Sequence, residues 1–451
     1  MERTSTFISL HIPFLPPEIH FVLAQHICRS DLPNYRLANR ALAGAGRKPL
    51  FQTIVLRSTL ASVASFKNII EHEQLSKSVQ TMLWDATSWR VGDSVRDWHE
   101  WTRHCESRAE VVDPDQALLY RELAAGRQYW EAYLSRREEE KVADKDLCRL
   151  TLYDKSFDWT SRLPNLQKIH VSQNDSRPHQ EQHVCRLSGD YCHFCSSSDN
   201  QWLPVVRPLN KWRGDRLGWQ GTYVSHIIKA VSNVSKCRLY GSDKNMLYML
   251  RYYAPSPTWT SLKVRYCVGM PGLLDPLAHR IGRLSCYPSL ESLSLSFHGR
   301  ARKIAFGWVT VQDLFEPMEK RENSRRHPPK YPFTWHKLRK LSLSHLDTSP
   351  RALLVLVAGH SSTLRDLRLQ DMCLGPDYTQ ISDPAVRHTW RDVFCRIESS
   401  TSLEKVRLAG EFRNKSHKDD IWDFDQGNLA TVVVEWIIQG GECPITDSCS
   451  G

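Results

Sequence analysis

The densest group of residues that could do chemistry is the segment HVCRLSGDYCHFC. Its candidate metal ligands are His183, Cys185, Cys192 and Cys195. Cys192 and Cys195 have the Cys-x-x-Cys spacing of a zinc-ligand pair, and thiolate and imidazole groups suit tetrahedral zinc. Structural zinc sites usually combine two well-separated pairs, however, and these four residues fall within 13 positions. We therefore interpret the segment as a loop with reduced cysteines, and we predict no metal or other cofactor.

Catalytic patterns are absent from the sequence. It contains no Gly-rich phosphate loop of the G-x-G-x-x-G or Walker type, no H-E-x-x-H and no G-x-S-x-G. Asp113 and Asp115 flank Pro114, a pattern that predicts a helix start rather than an acid–base pair. We predict a non-catalytic protein, with an enzyme whose site is too diffuse to recognise as an alternative.

Composition and charge narrow the class of protein further. The chain is 41% hydrophobic and has 15 Trp, 15 Tyr and 14 Phe, so it must bury a core. Its net charge of +10 favours acidic partners, but 60 basic and 50 acidic residues are mixed along the chain, which argues against nucleic acid. Thirteen irregularly spaced Cys do not fit a disulfide framework, and no apolar run is long enough for a membrane span. We expect a cytoplasmic or nuclear protein with no membrane partner.

The N-terminal segment predicts two or three short helices. Pro16 and Pro17 suit the first turn of a helix, where a missing N–H is tolerated. Ile19, Leu23 and Ile27 then recur every four residues and form an apolar stripe. Helices this short bury little surface by themselves, so we expect a partner to complete their core.

This segment resembles an F-box. The resemblance covers residues 13–50 and rests on the runs Leu15-Pro16-x-Glu18-Ile19, Asp31-Leu32 and Arg36-Leu37-x-Asn39-Arg40. It implies docking onto the Skp-type adaptor of a cullin–RING ubiquitin ligase, with Leu15, Pro16, Ile19 and Leu32 in the interface. The alternative is a helical hairpin that packs on its own domain.

A Leu-x-x-Leu-x-Leu pattern, similar to the strand signature of leucine-rich repeats, recurs behind this segment. It fits residues 51–56, 79–84, 166–171, 234–239, 290–295, 338–343, 364–369 and 403–408, with an imperfect unit near Leu262 and Val264. Several intervals suit a repeat, and the longer ones require insertions, at 92–149, 172–222 and 316–334. The Asn that usually follows such a strand is missing, and His298 and Met372 take its place.

Helix patterns lie between these strand patterns. Ser349-Pro350 and Asp383-Pro384 each predict a helix start, residues 273–284 carry an apolar stripe, and residues 430–440 are apolar enough to cover the last repeat. The predicted fold class is therefore α/β: a short helical F-box followed by an irregular strand–helix solenoid of leucine-rich repeats, with helical and loop insertions. Its first irregular repeats and a charged helical insertion span 51–150, and the main repeat domain spans 151–440. The alternative is an unrelated α/β fold with Leu-rich strands.

In such strands the residues that alternate with the core Leu share one face. Seven of the twelve alternating positions from residue 166 onward are Lys or Arg and only one is acidic. The basic positions are Lys168, Lys236, Arg238, Lys340, Arg368, Lys405 and Arg407. They predict a concave surface that binds an acidic or phosphorylated segment of a target, with the Arg side chains able to grip carboxylate or phosphate in bidentate fashion. Nucleic acid is the alternative ligand.

These observations together predict the substrate-recognition subunit of an SCF-type ubiquitin ligase, which would hold a target protein near the ubiquitin-charged enzyme. The alternative is a non-catalytic repeat scaffold whose N-terminal helices cap the end of the solenoid.

Overall fold

The fold is mixed α/β with a mostly parallel sheet. A computed structural model of the chain describes residues 16–27, 31–38, 40–57, 59–85, 95, 97–110, 114–150, 159–172, 234–241, 258–268, 289–299, 335–375, 389–415 and 420–444. The strands are β1 (Thr53–Arg57), β2 (Thr81–Asp85), β3 (Lys168–Ser172), β4 (Lys236–Gly241), β5 (Ser261–Val268), β6 (Ser292–Gly299), β7 (Lys340–Ser344), β8 (Asp347–Thr348), β9 (Asp366–Gln370), β10 (Cys373–Leu374), β11 (Lys405–Ala409), β12 (Glu411–Asn414) and β13 (Trp422–Asp423). The helices are α1 (Pro17–His26), α2 (Leu32–Ala38), α3 (Arg40–Ala45), α4 (Arg47–Phe51), α5 (Leu60–Glu71), α6 (Glu73–Ser76), α7 (Trp98–Ala109), α8 (Pro114–Ala125), α9 (Arg127–Cys148), α10 (Trp159–Arg162), α11 (Pro350–Ala358), α12 (Trp390–Ser400) and α13 (Leu429–Gln439).

The main sheet takes its strands in chain order. It runs β1-β2-β3-β4-β5-β6-β7-β9-β11 with every neighbouring pair parallel. The apolar residues of the strand pattern are in register across it, as Leu293, Leu341 and Leu367 illustrate, and these three are at most 1% exposed. The strands predicted from the sequence are confirmed, and the imperfect unit near Leu262 is β5.

Helices cover the buried face of this sheet, and α5, α11 and α12 each begin at a residue whose side chain caps the helix. Thr59 accepts a hydrogen bond from the backbone N–H of Ser62 at the start of α5. Ser349 caps α11, and Pro350 occupies its first turn, as the sequence predicts. Thr389 and Asp392 form a capping box on α12. The apolar faces of α5, α11, α12 and α13 join the strand residues in one core, so the prediction that residues 430–440 pack over the last strands is confirmed.

A ladder of turns follows β7, β9 and β11. His345, Asp371 and Gly410 stand at equivalent places, each with a positive φ, of 56°, 48° and 72°. The N–H of His345 donates to the carbonyl of Gln370, and that of Asp371 donates to the carbonyl of Ala409. The chain then enters a small sheet of order β13-β12-β10-β8. A Cβ at Gly410 would lie 2.1 Å from Asp371 Oδ1, so this turn requires glycine.

Met372 stands where the Asn of the strand pattern usually follows, and the neighbouring Asp371 supplies the side-chain contacts of the turn. Met372 is 1% exposed and belongs to the core. Asp371 Oδ1 accepts a hydrogen bond from the backbone N–H of Glu411 at 3.1 Å. Its Oδ2 lies 3.2 Å from His345 Nε2, which links two successive turns. The side chain of His298 lies outside the described residues.

The charged helical insertion between β2 and β3 has a core of its own. Trp101, Trp130 and Tyr133 pack with ring centroids 4.9–5.6 Å apart. Trp101 Nε1 donates to the carbonyl of Leu123 at 3.1 Å, which satisfies its buried polar atom. Helix α9 also contacts α5, so this insertion packs beside the first strands. Of the other predicted features, the helix start at Asp383, the stripe at 273–284 and the insertions 173–222 and 316–334 lie outside the described residues.

Candidate functional site

The first candidate site is the N-terminal helical module, defined as α1–α4. Its buried apolar cluster comprises Ala24, Leu32 and Ala45, with Ile27, Tyr35 and Leu50 packed around it. The Leu32 side chain is 2% exposed. Leu32, predicted as an adaptor contact, therefore lies beneath the surface and holds α2 against its neighbours.

Most large apolar residues of α1 face outward. Ile19, Phe21, Val22 and Leu23 are 43–51% exposed, and Leu37 on α2 is 83% exposed. Pro16 is exposed as well, and Leu15 lies outside the described residues. The predicted stripe thus divides, because Ile27 packs into the cluster while Ile19 and Leu23 remain at the surface. Pro16 and Ile19 are placed where a partner could contact them.

The module is joined to the sheet through α4. The Arg36 guanidinium lies 5.5 Å from the centroid of the Phe51 ring, and Arg36 Nε donates to the carbonyl of Ala43. Helix α4 contacts both α6 and β1, and Arg47 hydrogen-bonds to Gln74 on α6. These contacts to the sheet are made by α4, the last helix of the module. They leave the outward face of α1 exposed.

The second candidate site is the sheet face opposite the core, and the predicted basic residues lie on it in two rows. In one row Lys168 pairs with Lys236, and Lys340 and Lys405 flank Asp366. In the next row Arg238 follows His170, and Arg407 follows Arg368. The register thus places the seven basic residues that the sequence predicts on one face, in one group on β3 and β4 and another on β7, β9 and β11. Between the two basic groups, β5 contributes Ser261 and the exposed Lys263 to this face, and β6 and β7 contribute the serines Ser292, Ser294, Ser296, Ser342 and Ser344.

One of these residues already holds a carboxylate. Arg368 Nε and Nη2 donate to Asp366 Oδ1 and Oδ2 at 3.1 and 2.9 Å. Burial raises the pKa of Asp366, but Arg368, Lys405 and Lys340 outweigh it and hold that pKa below its ordinary value. The prediction that Arg368 grips a target in bidentate fashion does not fit this arrangement, because its fork is occupied within the chain.

His170 lies beside the basic residues of β3 and β4. Burial, together with the positive charges of Arg238 and Lys168, lowers the pKa of His170 to about 4. The imidazole is therefore neutral at physiological pH, and the charge there comes from Lys168, Lys236 and Arg238. None of these three has an ion pair within the part of the chain that the structure describes.

A cavity of about 930 Å³ lies where β6, β7, β9 and β11 begin. Its basic lining consists of Lys337, Arg339, Lys340, Arg365, Arg368 and Lys405, with His336 beside them. Its acidic lining consists of Glu291, Asp366 and Glu404. Six Lys and Arg against three acids leave a formal excess of three positive charges with His336 neutral. Ser362 and Thr363 add two hydroxyl groups to the wall.

Several basic residues of this sheet face and of the cavity were not predicted from the sequence. Lys263 on β5 is exposed and in register with Arg238, but it belongs to the imperfect repeat unit. Arg339 and Arg365 stand directly before β7 and β9, outside the alternating positions that were counted. A charged residue directly before each main-sheet strand from β6 onward was the available signal: Glu291, Arg339, Arg365 and Glu404.

The candidate zinc ligands His183, Cys185, Cys192 and Cys195 lie outside the described residues. Within the described ranges, His, Cys, Asp and Glu residues form no group of three that could hold a metal ion. In the same ranges, no helix combines the length and the apolar character that crossing a membrane requires. No family model matches the chain, and no curated protein matches it either.

Proposed function

We propose that this chain is the substrate-recognition subunit of a cullin–RING ubiquitin ligase of the SCF type. The N-terminal helical module would dock the Skp-type adaptor as an F-box, and the strands of the main sheet would be units of a degenerate leucine-rich-repeat solenoid that holds the target. The chain itself would need no catalytic group, because holding the target near the ubiquitin-charged enzyme supplies the rate enhancement.

The observation that carries the proposal is the exposed apolar face of α1. The module buries three apolar side chains in its own cluster while Ile19, Phe21, Val22 and Leu23 face outward. An exposed apolar patch of this kind is typical of a protein-interaction site. The F-box-like residues Glu18, Ile19 and Leu32 lie on the helices α1 and α2, so sequence and exposure favour the same partner.

The repeat interpretation is supported by the order and register of the strands. Nine strands follow one another in chain order, all parallel, with the Leu-x-x-Leu-x-Leu residues aligned on the buried side. Units that stack in chain order, each covering the apolar edge of the one before, are what a solenoid requires.

The scaffold alternative has one observation in its favour. Leu32 is buried, and α4 packs against β1, as would be expected of helices that only cap the first strand. Pro16 and Ile19 remain exposed, however, and a cap would bury them. Their exposure favours the receptor.

The test is a binding measurement between the full chain and a recombinant Skp-type adaptor. Replacing both Pro16 and Ile19 with Ala should weaken binding at least tenfold, because a few apolar residues carry most of the energy of such an interface. Leu60→Ala is the matched control, since Leu60 is also 43% exposed but lies on α5, outside the module. The control should bind like the wild type. Equal binding by the double variant and the wild type would refute the adaptor-docking role.

A further inference from the structure

Two cysteines that are distant in the sequence meet beside α12. Cys395 lies in the middle of that helix and Cys443 follows α13, and their Sγ atoms are 3.8 Å apart although 48 residues separate them in the chain. Both side chains pack against the main core, and both are partly exposed. A disulfide bond brings its two Sγ atoms to about 2.0 Å, so only a small shift of the two side chains would join this pair.

The turn after α13 holds Cys443 over α12. Gly440 has a φ of 77°, and its N–H donates to the carbonyl of Trp436, so the helix ends there. Trp436 Nε1 donates in turn to the carbonyl of the residue after Gly440, at 3.3 Å, which fixes the direction of the next residues. A Cβ at Gly440 would lie 3.2 Å from Oε1 of Glu398, which is one turn along α12 from Cys395. The backbone therefore crosses two successive turns of α12 and brings the two Sγ atoms together.

We propose that Cys395 and Cys443 form a reversible disulfide bond that clamps the turn after α13 to α12, by exchange with a low-molecular-weight disulfide such as glutathione disulfide. One cysteine thiolate attacks a sulfur of glutathione disulfide, forms a mixed disulfide and releases the first glutathione thiolate. The second cysteine thiolate attacks the protein-side sulfur of the mixed disulfide and releases the second glutathione thiolate. The two protein thiols give up two electrons and two protons, and the two glutathione molecules leave as thiols.

The surroundings of the pair assign the first attack to Cys443. Its chain neighbours Glu442 and Pro444 are exposed, so a bulky disulfide can reach it. Burial and the neighbouring sulfur of Cys443 raise the pKa of Cys395 to about 11, so Cys395 is protonated while Cys443 is a thiol. The mixed disulfide removes the Cys443 thiol and its effect on that pKa. The thiolate of Cys395 then forms more readily and makes the closing attack.

Other cysteines of the described ranges are shielded from such a reaction. Cys105, Cys237 and Cys373 are buried, and burial raises the pKa of Cys105 and Cys373 to about 12. A thiol that is buried and protonated reacts slowly with a disulfide. The partly exposed pair is therefore the preferred place of oxidation among these five cysteines.

The disulfide closes a loop that contains β11, β12, β13 and α13. Helix α13 contacts both α12 and β11, so the bond fastens the helix that covers the last strand of the main sheet. A cross-link restricts the opening of the chain that it encloses. Disulfides in the cytosol and nucleus are usually transient, so a reversible bond fits the compartment that the sequence predicts. The clamp involves neither α1 nor the basic face, so it is independent of the proposed adaptor and target contacts.

The first experiment treats the full folded chain with glutathione disulfide and maps the links by mass spectrometry after digestion with trypsin and Asp-N protease. Trypsin releases Cys395 in a short peptide, and cleavage before Asp447 separates Cys443 from Cys449. The Cys395–Cys443 link should be at least fivefold more abundant in the folded chain than in the chain unfolded in urea, and dithiothreitol should reverse it.

Hydrogen exchange then tests the clamp. Oxidation should slow the exchange of α13 at least tenfold in the wild type and leave it unchanged in Cys395→Ser and Cys443→Ser. The two variants should match the reduced wild type before oxidation, which shows that they are folded. Cys373→Ala is the matched control, since it removes a cysteine from the same part of the chain and leaves the pair intact. It should respond to oxidation like the wild type.

Three outcomes would overturn the proposal. A Cys395–Cys443 link that is no more abundant in the folded chain than in the unfolded chain would mean that the fold does not select this pair. A dominant link from Cys395 to Cys449 would assign the bond to a different partner. Equal exchange of α13 in the oxidised and reduced wild type, with the link formed, would refute the clamp.

Discussion

The N-terminal helical module and the C-terminal part of the chain, residues 335–444, differ in how completely they bury their apolar residues. The module has a cluster of three buried side chains and leaves the apolar face of α1 exposed. The C-terminal part shares in one continuous core, in which Trp390, Phe394, Phe412 and Phe424 pack with centroids 4.7–6.1 Å apart. The exposed large apolar residues of the C-terminal part, Val355, Ile421, Val432 and Ile438, lie apart in the sequence, whereas four of those of the module lie together on α1.

Polar contacts differ between the two regions in the same way. In the C-terminal part, buried donors find acceptors across long sequence distances, as when Trp390 Nε1 donates to the carbonyl of Arg413 and Gly410 N–H donates to Asp425. In the module, Tyr35 Oη reaches the carbonyl of His20 at 3.4 Å, a long hydrogen bond. We infer that the C-terminal part contributes more to the stability of the chain than the module does.

The largest expected effect is in the core of the C-terminal part. Leu367→Ala removes a side chain that is 1% exposed from the centre of β9, between Leu341 and Val406. A buried Leu→Ala change costs the transfer energy and leaves a cavity, about 4 kcal/mol of unfolding free energy. Chemical denaturation followed by Trp fluorescence measures the loss. Leu37→Ala is the control, since Leu37 is 83% exposed and should change stability by less than about 0.5 kcal/mol. Equal losses would contradict the contrast between the two regions.

A smaller and local effect is expected in the module. Leu32→Ala should cost about 3 kcal/mol, but only the helices α1–α3 should open, because Leu32 does not contact the main core. Hydrogen exchange should therefore speed up in residues 16–45 and stay unchanged in β7, β9 and β11.

Saturating Skp-type adaptor should restore that protection under the proposed function. A ligand at 100 times its Kd stabilises the bound form by about 2.7 kcal/mol. Faster exchange throughout the sheet would mean that the module and the sheet unfold as one unit, and the comparison between them would then fail.

The strands could be predicted from the sequence because the physics is local. In Leu-x-x-Leu-x-Leu the last two Leu obey the two-residue period of a strand, and the same residues fill the core wherever the pattern recurs. The helix starts at Ser349 and Pro350 were readable for the same reason, since a cap depends on neighbours three residues away. The shared basic face then followed from alternation alone.

The rest depends on contacts between residues distant in the sequence. Asp371 accepts a hydrogen bond from the backbone N–H of Glu411, 40 residues later in the chain. Glycine is required at position 410 because the Asp371 carboxylate lies against it. The apolar stripe of α1 could not reveal which side is buried, since Ile27 and Ile19 look alike until α2 and α3 are placed. The cavity could not be predicted from the sequence either, because its lining combines residues from the starts of several strands with the loop residues Ser362 and Thr363.

The smallest expected effect is the pH dependence of stability, which should differ in sign between two buried carboxyl groups of the C-terminal part, Asp347 and Asp366. Asp347 is 4% exposed at its side chain and pairs with Lys415 at the far end of the small sheet. Burial raises the pKa of Asp347 to about 6 despite that lysine. The folded state therefore holds a proton that the unfolded state has released, and stability falls as pH rises from about 4 through 6. The loss between pH 4.5 and 6.5 should be about 2 kcal/mol. In the Asp347→Asn variant this loss of unfolding free energy between the two pH values should be absent. Chemical denaturation of the variant and of the wild type at each pH measures it. Asp366→Asn should act in the opposite direction, because Arg368 lowers the pKa of Asp366 and its contribution is lost only as the solution becomes acidic. If Asp347→Asn leaves the dependence of the unfolding free energy on pH unchanged, Lys415 keeps Asp347 ionised. The small sheet then gains stability from that charge instead of losing it.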